Sequence, residues 1–316
     1  MTLLWLLVAL ALIPLASLGL TTVMGRAAGW PLGAAFLVAG ALAWPAVRDL
    51  LDQGPGGAVT WSHAWVPDLG LELALRLDGL SLVFIALALV IGALVFFYST
   101  TYFTSGTQRG FYLIMSAFTF AMVAFVLSDN LVLMFLTWEL TSLASFLLIA
   151  RSGHAGEAAS MRTLLLTFVG GLALLVAVAL IVTRTGSSVF SEVIAHPVWQ
   201  ADPGFTSLVA VLVAVAGFSK AAQFPFHLWL PDAMAAATPV SAYLHAAAVV
   251  KAGIYLLFRF TAIFHATVIW NVLLIGLGLL TACLAGYFAL QQSDLKKLMA
   301  YSTVSQLGLI TATIGI

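Results

Sequence analysis

Glu139, Lys220 and Lys251 each stand within an apolar stretch long enough to cross a bilayer. An ionised side chain at that depth costs a few kcal/mol or more, so groups of this kind usually mark a path for protons or ions. Glu139 lies about eight residues into the run Leu131 to Ala150, roughly 12 Å deep at 1.5 Å per residue. Alone there it would take up a proton. It stays ionised only beside a cation or several donors, and Lys220 is the natural cation. Such a pair is a switch, because a proton loaded on or passed beyond Lys220 changes the field at Glu139. The plainer reading is a static buried ion pair, which is weak evidence for stability.

Lys251 lies midway along Val240 to Ile263, with His245 six residues earlier. On a helix that spacing is about 9 Å along the axis and 120° around it, so the two share no face and water is expected to link them. A desolvated amine exchanges its proton readily, and an imidazole does so near neutral pH. A lone histidine in an apolar helix is more often a satisfied core residue; standing between two membrane lysines favours His245 as a relay. His227, beside Phe226 and Trp229, reads equally as a core donor or a relay. Asp232 after Pro231 is expected to cap a half-helix, and Arg259 to snorkel toward the membrane surface. Lys296 belongs to a short charged turn with Asp294 and Lys297. Beyond it Thr303, Ser305 and Gln306 can bond across helices or hold water, which makes Lys296 and Ser305 further relay candidates.

Other chemistry finds no seat in the chain. There is no glycine-rich phosphate loop, no dinucleotide fingerprint and no histidine pair at metal spacing, so neither cofactor nor metal is expected, nor an enzymatic reaction. The single cysteine, Cys283, excludes an intrachain disulfide and reads as a packing residue. Lys plus Arg number 12 and Asp plus Glu number 12, leaving no basic surface for a nucleic acid.

The elements that must position these groups are membrane helices. Hydrophobic residues make up 63% of the chain and charged residues 8%, with a mean hydropathy of +1.12, against roughly 25% charged in soluble domains. The composition predicts an all-α polytopic membrane protein. Apolar runs of spanning length predict about ten transmembrane helices: Leu3 to Val23, Trp30 to Val47, Gly79 to Tyr98, Phe111 to Leu127, Leu131 to Ala150, Leu164 to Thr183, Ser207 to Ala237, Val240 to Ile263, Thr267 to Leu290, and Met299 onward. The first lacks a basic leader and reads as a span rather than a cleaved signal. The seventh carries Pro225 and Pro231 and must break, starting five residues after Lys220. Broken helices at membrane depth are tolerated where they line a cavity or are covered by protein. The last apolar segment has no stop signal, so the chain is expected to be part of something longer.

Basic residues favour the cytoplasmic side. With the N-terminus outside, inner loops hold Arg26, Arg109, Arg151, Arg162, Lys296 and Lys297 against Glu157 and Asp294. Outer loops then hold Arg48, Arg76 and Arg184 beside many acids, Asp49, Asp52, Asp68, Glu72, Asp78, Asp129, Glu192 and Asp202. The expectation is a multi-pass cell-membrane protein with its N-terminus outside.

Several segments also carry a family likeness. They are Leu77-Asp78-Gly79-Leu80-Ser81, Trp138-Glu139-Leu140-Thr141-Ser142, the run Phe218 to Met234 (FSKAAQFPFHLWLPDAM), Thr238 to His245 (TPVSAYLH), and Asp294 to Gly308 (DLKKLMAYSTVSQLG). From about Leu77 onward the chain resembles the antiporter-like subunits of respiratory complex I, membrane-bound hydrogenases and Mrp cation/proton antiporters. Within that family Val250-Lys251-Ala252-Gly253-Ile254-Tyr255-Leu256 looks most like the N-terminal portion of the A-type subunit of Mrp Na+/H+ antiporters. The resemblance implies an inverted five-helix repeat with a broken seventh helix. It divides the chain into residues 1–110 with three helices and an outer loop, a first repeat over 111–264, and the start of an incomplete second repeat over 265–316. It also implies Glu139, Lys220, Lys251 and His245 as the proton-handling set.

The implied function is proton translocation within a multi-subunit antiporter driven by the proton-motive force. Protons exchange for Na+ or another monovalent cation, and the partners are other membrane subunits. The rivals are a proton-pumping subunit of a complex I-like quinone oxidoreductase or membrane-bound hydrogenase, a membrane partner of inorganic-carbon uptake, and a structural scaffold.

Overall fold

In hydrocarbon a backbone must satisfy its own hydrogen bonds, and a helix does so within one segment. The structure, a computed structural model, describes residues 1–66, 71–104 and 108–316. The elements run α1 (Thr2–Met24), α2 (Gly29–Leu42), α3 (Trp44–Gln53), β1 (Val59–Val66), β2 (Leu71–Leu77), α4 (Gly79–Tyr102), α5 (Arg109–Leu127), α6 (Leu131–Ala150) and α7 (His154–Thr185). There follow α8 (Phe190–Ile194), α9 (Val198–Ala201), α10 (Pro203–Lys220), α11 (Trp229–Asp232), α12 (Thr238–Ala246), α13 (Val249–Phe264), α14 (Val268–Leu290) and α15 (Leu295–Ile314). They form two compact units: residues 1–148 with 237–248, and residues 149–236 with 249–316.

In the first unit α1 packs on α5, and α2 and α12 pack on α4. The Tyr112 hydroxyl donates to the Arg26 carbonyl at 2.8 Å, which pins the turn between α1 and α2. Helix α4 begins where it does because Asp78 and Ser81 cap it reciprocally. Asp78 Oδ1 accepts from the Ser81 amide at 3.0 Å, and Ser81 Oγ accepts from the Asp78 amide at 2.7 Å. Asp78→Ala is therefore expected to lower stability by about 1 kcal/mol, read as a lower midpoint in thermal unfolding of the protein in detergent. An unchanged midpoint would show that this cap does not set the helix start.

The segment expected to be an outer loop contains an antiparallel hairpin, with Trp61 opposite Leu75 and His63 opposite Leu73. The Ala74 carbonyl accepts from the Asp129 amide at 2.9 Å, tying the hairpin to the corner between α5 and α6.

Among the described residues eight helical segments are long and apolar enough to cross a membrane. The ten sequence segments map onto these with two differences. The first two spans form one unbroken run of helical turns, because a 3-10 turn over Gly25–Ala28, entered through Gly25 at φ 57°, leads from α1 into α2, which packs against α1, and on to α3. The tenth, α15, is helical over 20 residues, but Lys296, Lys297, Ser302, Thr303, Ser305 and Gln306 keep its hydropathy low.

In the second unit α10 lies against α7 and α13, and α14 pairs with α15. Asp202 caps α10 through the Phe205 amide at 3.0 Å, with Pro203 at the first helical position. The seventh span breaks, but directly after Lys220 rather than five residues beyond it, and no second half-helix follows. Lys220 ends α10, Ala222 turns into the left-handed region at φ 51°, and the chain continues through 3-10 turns and the single turn of α11.

The eighth span is also broken, contrary to the sequence reading. Helix α12 ends at Ala246, Ala247 takes φ −130°, and α13 starts at Val249. Nothing in Ala246-Ala247-Ala248 flags this, since alanine is the strongest helix former.

Candidate functional site

Lys220 is fully buried. Its position follows from the break. As the last residue of α10 it stands where unsatisfied carbonyls make the negative end of the helix dipole, which favours a cation. Side chains then hold the irregular segment: Trp229 Nε1 donates to the Ser219 carbonyl at 2.8 Å, and the Phe224 amide donates to Thr281 Oγ1 of α14 at 2.9 Å. Gln223, fully buried, donates through Nε2 to the Ala221 carbonyl at 2.9 Å. These bonds replace the helical ones that the break removes.

Lys251 is half-buried in the first turn of α13. The break at Ala247 separates it from His245, so the two are not on one helix and the expected 120° azimuth does not describe them. His245 is half-buried near the end of α12 in the first unit, its Nε2 without a hydrogen-bond partner among the described residues. Glu139, half-buried, is also in the first unit on α6. The second unit therefore gathers Lys220, Lys251, His227, Lys296 and Ser305, while Glu139 and His245 belong to the first.

His227 lies in the 3-10 turn after Pro225, its ring between those of Phe224 and Phe288 at centroid distances of 5.8 and 6.4 Å. The crevice it shares with Thr281 and Val304 is too narrow for a water molecule. Lys296 Nζ reaches the Ala236 carbonyl at 3.4 Å, joining α15 to the end of the broken segment. Ser305 Oγ donates across to the Ala282 carbonyl of α14 at 2.8 Å, the interhelical bond that the sequence allowed.

Two side chains, Asp232 and Cys283, depart from expectation. Asp232 caps no helix; its carboxylate takes Arg162 Nη1 at 2.6 Å, both groups beside a cavity of about 310 Å³ that Asp294 and Lys297 also line. Arg259 Nε donates to the hydroxyl of Tyr255, one turn back, at 2.9 Å. Cys283 is exposed on α14 rather than packed inside. The Lys251–Tyr255–Arg259 spacing was the signal that could have revealed the Arg259 contact. Among the described residues no three His, Cys, Asp or Glu side chains come together as a metal ion would require.

Comparison with known proteins agrees with this architecture. Residues 128–316 match the family described as NADH:quinone oxidoreductase/Mrp antiporter, TM, and residues 61–112 match the N-terminus of NADH-ubiquinone oxidoreductase (complex I), chain 5. The chain is 44% identical over 259 residues to "Putative antiporter subunit mnhA2" of Staphylococcus aureus (strain MSSA476), an alignment covering 81% of this chain and 32% of the relative.

Among solved structures it is similar to a chain of the Mrp complex from Dietzia sp. DQ12-45-1b, with 50% identity and a TM-score of 0.90 over 99% of this chain and 34% of that one. It is also similar to a chain of the membrane-bound sulfane sulfur reductase, an archaeal respiratory membrane complex, with 25% identity and a TM-score of 0.82 over 100% of this chain and 52% of that one. The chain thus spans about a third of the length of the curated relative and of the Mrp chain. A match over more than half of the sequence, on a multi-pass framework of broken and apolar helices, makes the chain a member of the NADH:quinone oxidoreductase/Mrp antiporter transmembrane family.

Proposed function

We propose that this chain is a proton-translocating subunit of a multi-subunit antiporter that exchanges protons for Na+ or another monovalent cation across the cell membrane, with its N-terminus outside. The observation that carries the reading is Lys220, a fully buried amine at the C-terminal end of a helix that breaks at that point. The likeness to an Mrp complex chain and to a curated antiporter relative supports it. Its partners are then the other membrane subunits of such a complex, and its work is transport rather than catalysis.

In this reading a proton enters beside the broken segment between α10 and α12 and loads Lys220, which changes what Glu139 experiences. Lys251 passes the proton onward, with His245, His227, Lys296 and Ser305 as relay groups. One charge moved through 100 mV is worth about 2.3 kcal/mol, enough to shift a buried group between protonation states.

The test is an exchange assay in inverted membrane vesicles carrying the whole complex. Once an interior-acid gradient is set, added Na+, K+ or Li+ is expected to collapse it, and a gradient that no monovalent cation disturbs would reject the reading. The likeness to a respiratory sulfane sulfur reductase favours one alternative, a proton-moving subunit driven by redox partners. Acidification that depends on an added electron donor rather than on cations would select that alternative.

A further inference from the structure

Helix α13 carries a row of polar side chains that the buried lysines do not account for. Lys251, Tyr255 and Arg259 follow one another at four-residue steps, so each lies about 6 Å further along the axis and about 40° further round it. Tyr255 is fully buried, whereas Lys251 and Arg259 are half-buried. Arg259 donates to the Tyr255 hydroxyl at 2.9 Å, and its guanidinium lies over the Tyr255 ring, 5.2 Å from the centroid.

Packing of α13 on α10 does not require this row. That contact runs through Gly253 and Leu257, which meet Gly217 and Ala221. Lys251 and Tyr255 each sit about 160° round the helix from Gly253.

Long side chains on a helix lean toward its N-terminus. Arg259 accordingly reaches back to Tyr255, and the same preference directs Tyr255 toward the turn that holds Lys251. The break before Val249 makes Lys251 a first-turn residue. Unsatisfied amides there form the positive end of the helix dipole and oppose a second positive charge. Lys251 and Tyr255 are thus i, i+4 neighbours on one helix.

The geometry points to Tyr255 as a proton-transfer group between Lys251 and the C-terminal end of α13, a role that rests on the exchange function proposed above. The Lys251 ammonium gives a proton to the phenol oxygen as the phenol's own proton leaves to a water molecule beyond it. Lys251 becomes a neutral amine, Tyr255 is again a neutral phenol, and the water becomes hydronium. Arg259 remains charged throughout; its hydrogen bond orients the ring and draws electron density from the oxygen, making the O–H a better donor. On the elements packed against α13 the other ionisable groups are Lys220 on α10, Lys296, Lys297 and Tyr301 on α15, and Cys283 and Tyr287 on α14, which meets α13 through Trp270. Glu192 is on α8, which touches the last turns of α13 through Phe190 and Phe260.

Tyr255→Phe removes the hydroxyl and keeps the ring. In vesicles carrying the whole complex, exchange per assembled complex is expected to fall on the order of 10²-fold, with the half-saturating Na+ concentration unchanged. Placing 3,5-difluorotyrosine at position 255, a more acidic phenol of nearly the same size, is expected to keep exchange but displace its pH profile. A Tyr255→Phe protein that exchanges like wild type, or that loses exchange only through weaker Na+ saturation, overturns the role. Should that variant fail to assemble, the difluorotyrosine protein decides: a displaced profile supports the role and an unmoved one overturns it. Wild-type vesicles that exchange no cation count against the proposed function instead, so the two failures are told apart.

Discussion

Lys220→Ala is expected to abolish cation-driven collapse of a pH gradient while the complex still assembles. The amine is fully buried at the end of α10, so the substitution removes a group that can carry a charge and release it. Loss of a positioned proton-transfer group costs on the order of 10²-fold or more. The informative companion is Lys220→Arg. A guanidinium keeps the positive charge and the hydrogen-bond donors but does not deprotonate in a protein. If Lys220 serves only as a static counter-charge, arginine should restore exchange wherever the complex assembles. If it loads and unloads a proton, Lys220→Arg should assemble and remain silent. Exchange in inverted vesicles, normalised to the amount of assembled complex, separates the two. Wild-type rates in Lys220→Ala would remove Lys220 from the pathway altogether.

The parts of this fold that were legible in the sequence are those where one physical rule acts alone. Long apolar runs such as Gly79 to Tyr98 or Leu131 to Ala150 have no alternative to helix in lipid, and both form helices close to those bounds. Pro225 and Pro231 announced the seventh break, because each removes a backbone donor. The eighth break had no such marker. Its residues are good helix formers, and the structure interrupts them at Ala247 and Ala248.

The hairpin was legible but overlooked. Leu71-Glu72-Leu73-Ala74-Leu75-Arg76-Leu77 alternates with the period of a strand, and a search for runs of spanning length passes over it. Charged groups were well located along the chain and poorly assigned to partners. Asp232 took Arg162 in place of a cap, and the Arg259 bond to Tyr255 was not foreseen. Spacing fixes depth and azimuth on one helix, whereas partners on other helices depend on packing that no single segment encodes.

The packing that sets Lys220 beside its break turns on Gly253, and substitutions there should have the largest effect on stability. A Cβ at Gly253 would fall on the Ala221 backbone nitrogen and within 2.6 Å of the Gly217 carbonyl oxygen. Neither is a side chain that can swing away, so α10 and α13 must separate. Gly253→Ala would otherwise gain about 0.5–1 kcal/mol from backbone entropy. Overpacking of this kind costs about 1–3 kcal/mol and sometimes more, enough to reverse the sign. Gly276 on α14 supplies the control, because a Cβ there meets nothing within 4 Å. Gly276→Ala is expected to raise the thermal midpoint of the purified protein, Gly253→Ala to lower it, and Gly253→Leu to prevent assembly. The contact also flanks the chemistry: Ala221 follows Lys220 directly, and Lys251 is two residues before Gly253. Gly253→Ala should therefore slow exchange in the complexes that do assemble, since the interface it pries apart is the one that fixes both lysine-bearing backbones. A Gly253→Ala protein as stable and as active as wild type would mean that α10 and α13 can separate without cost, and that their close approach does not position the site.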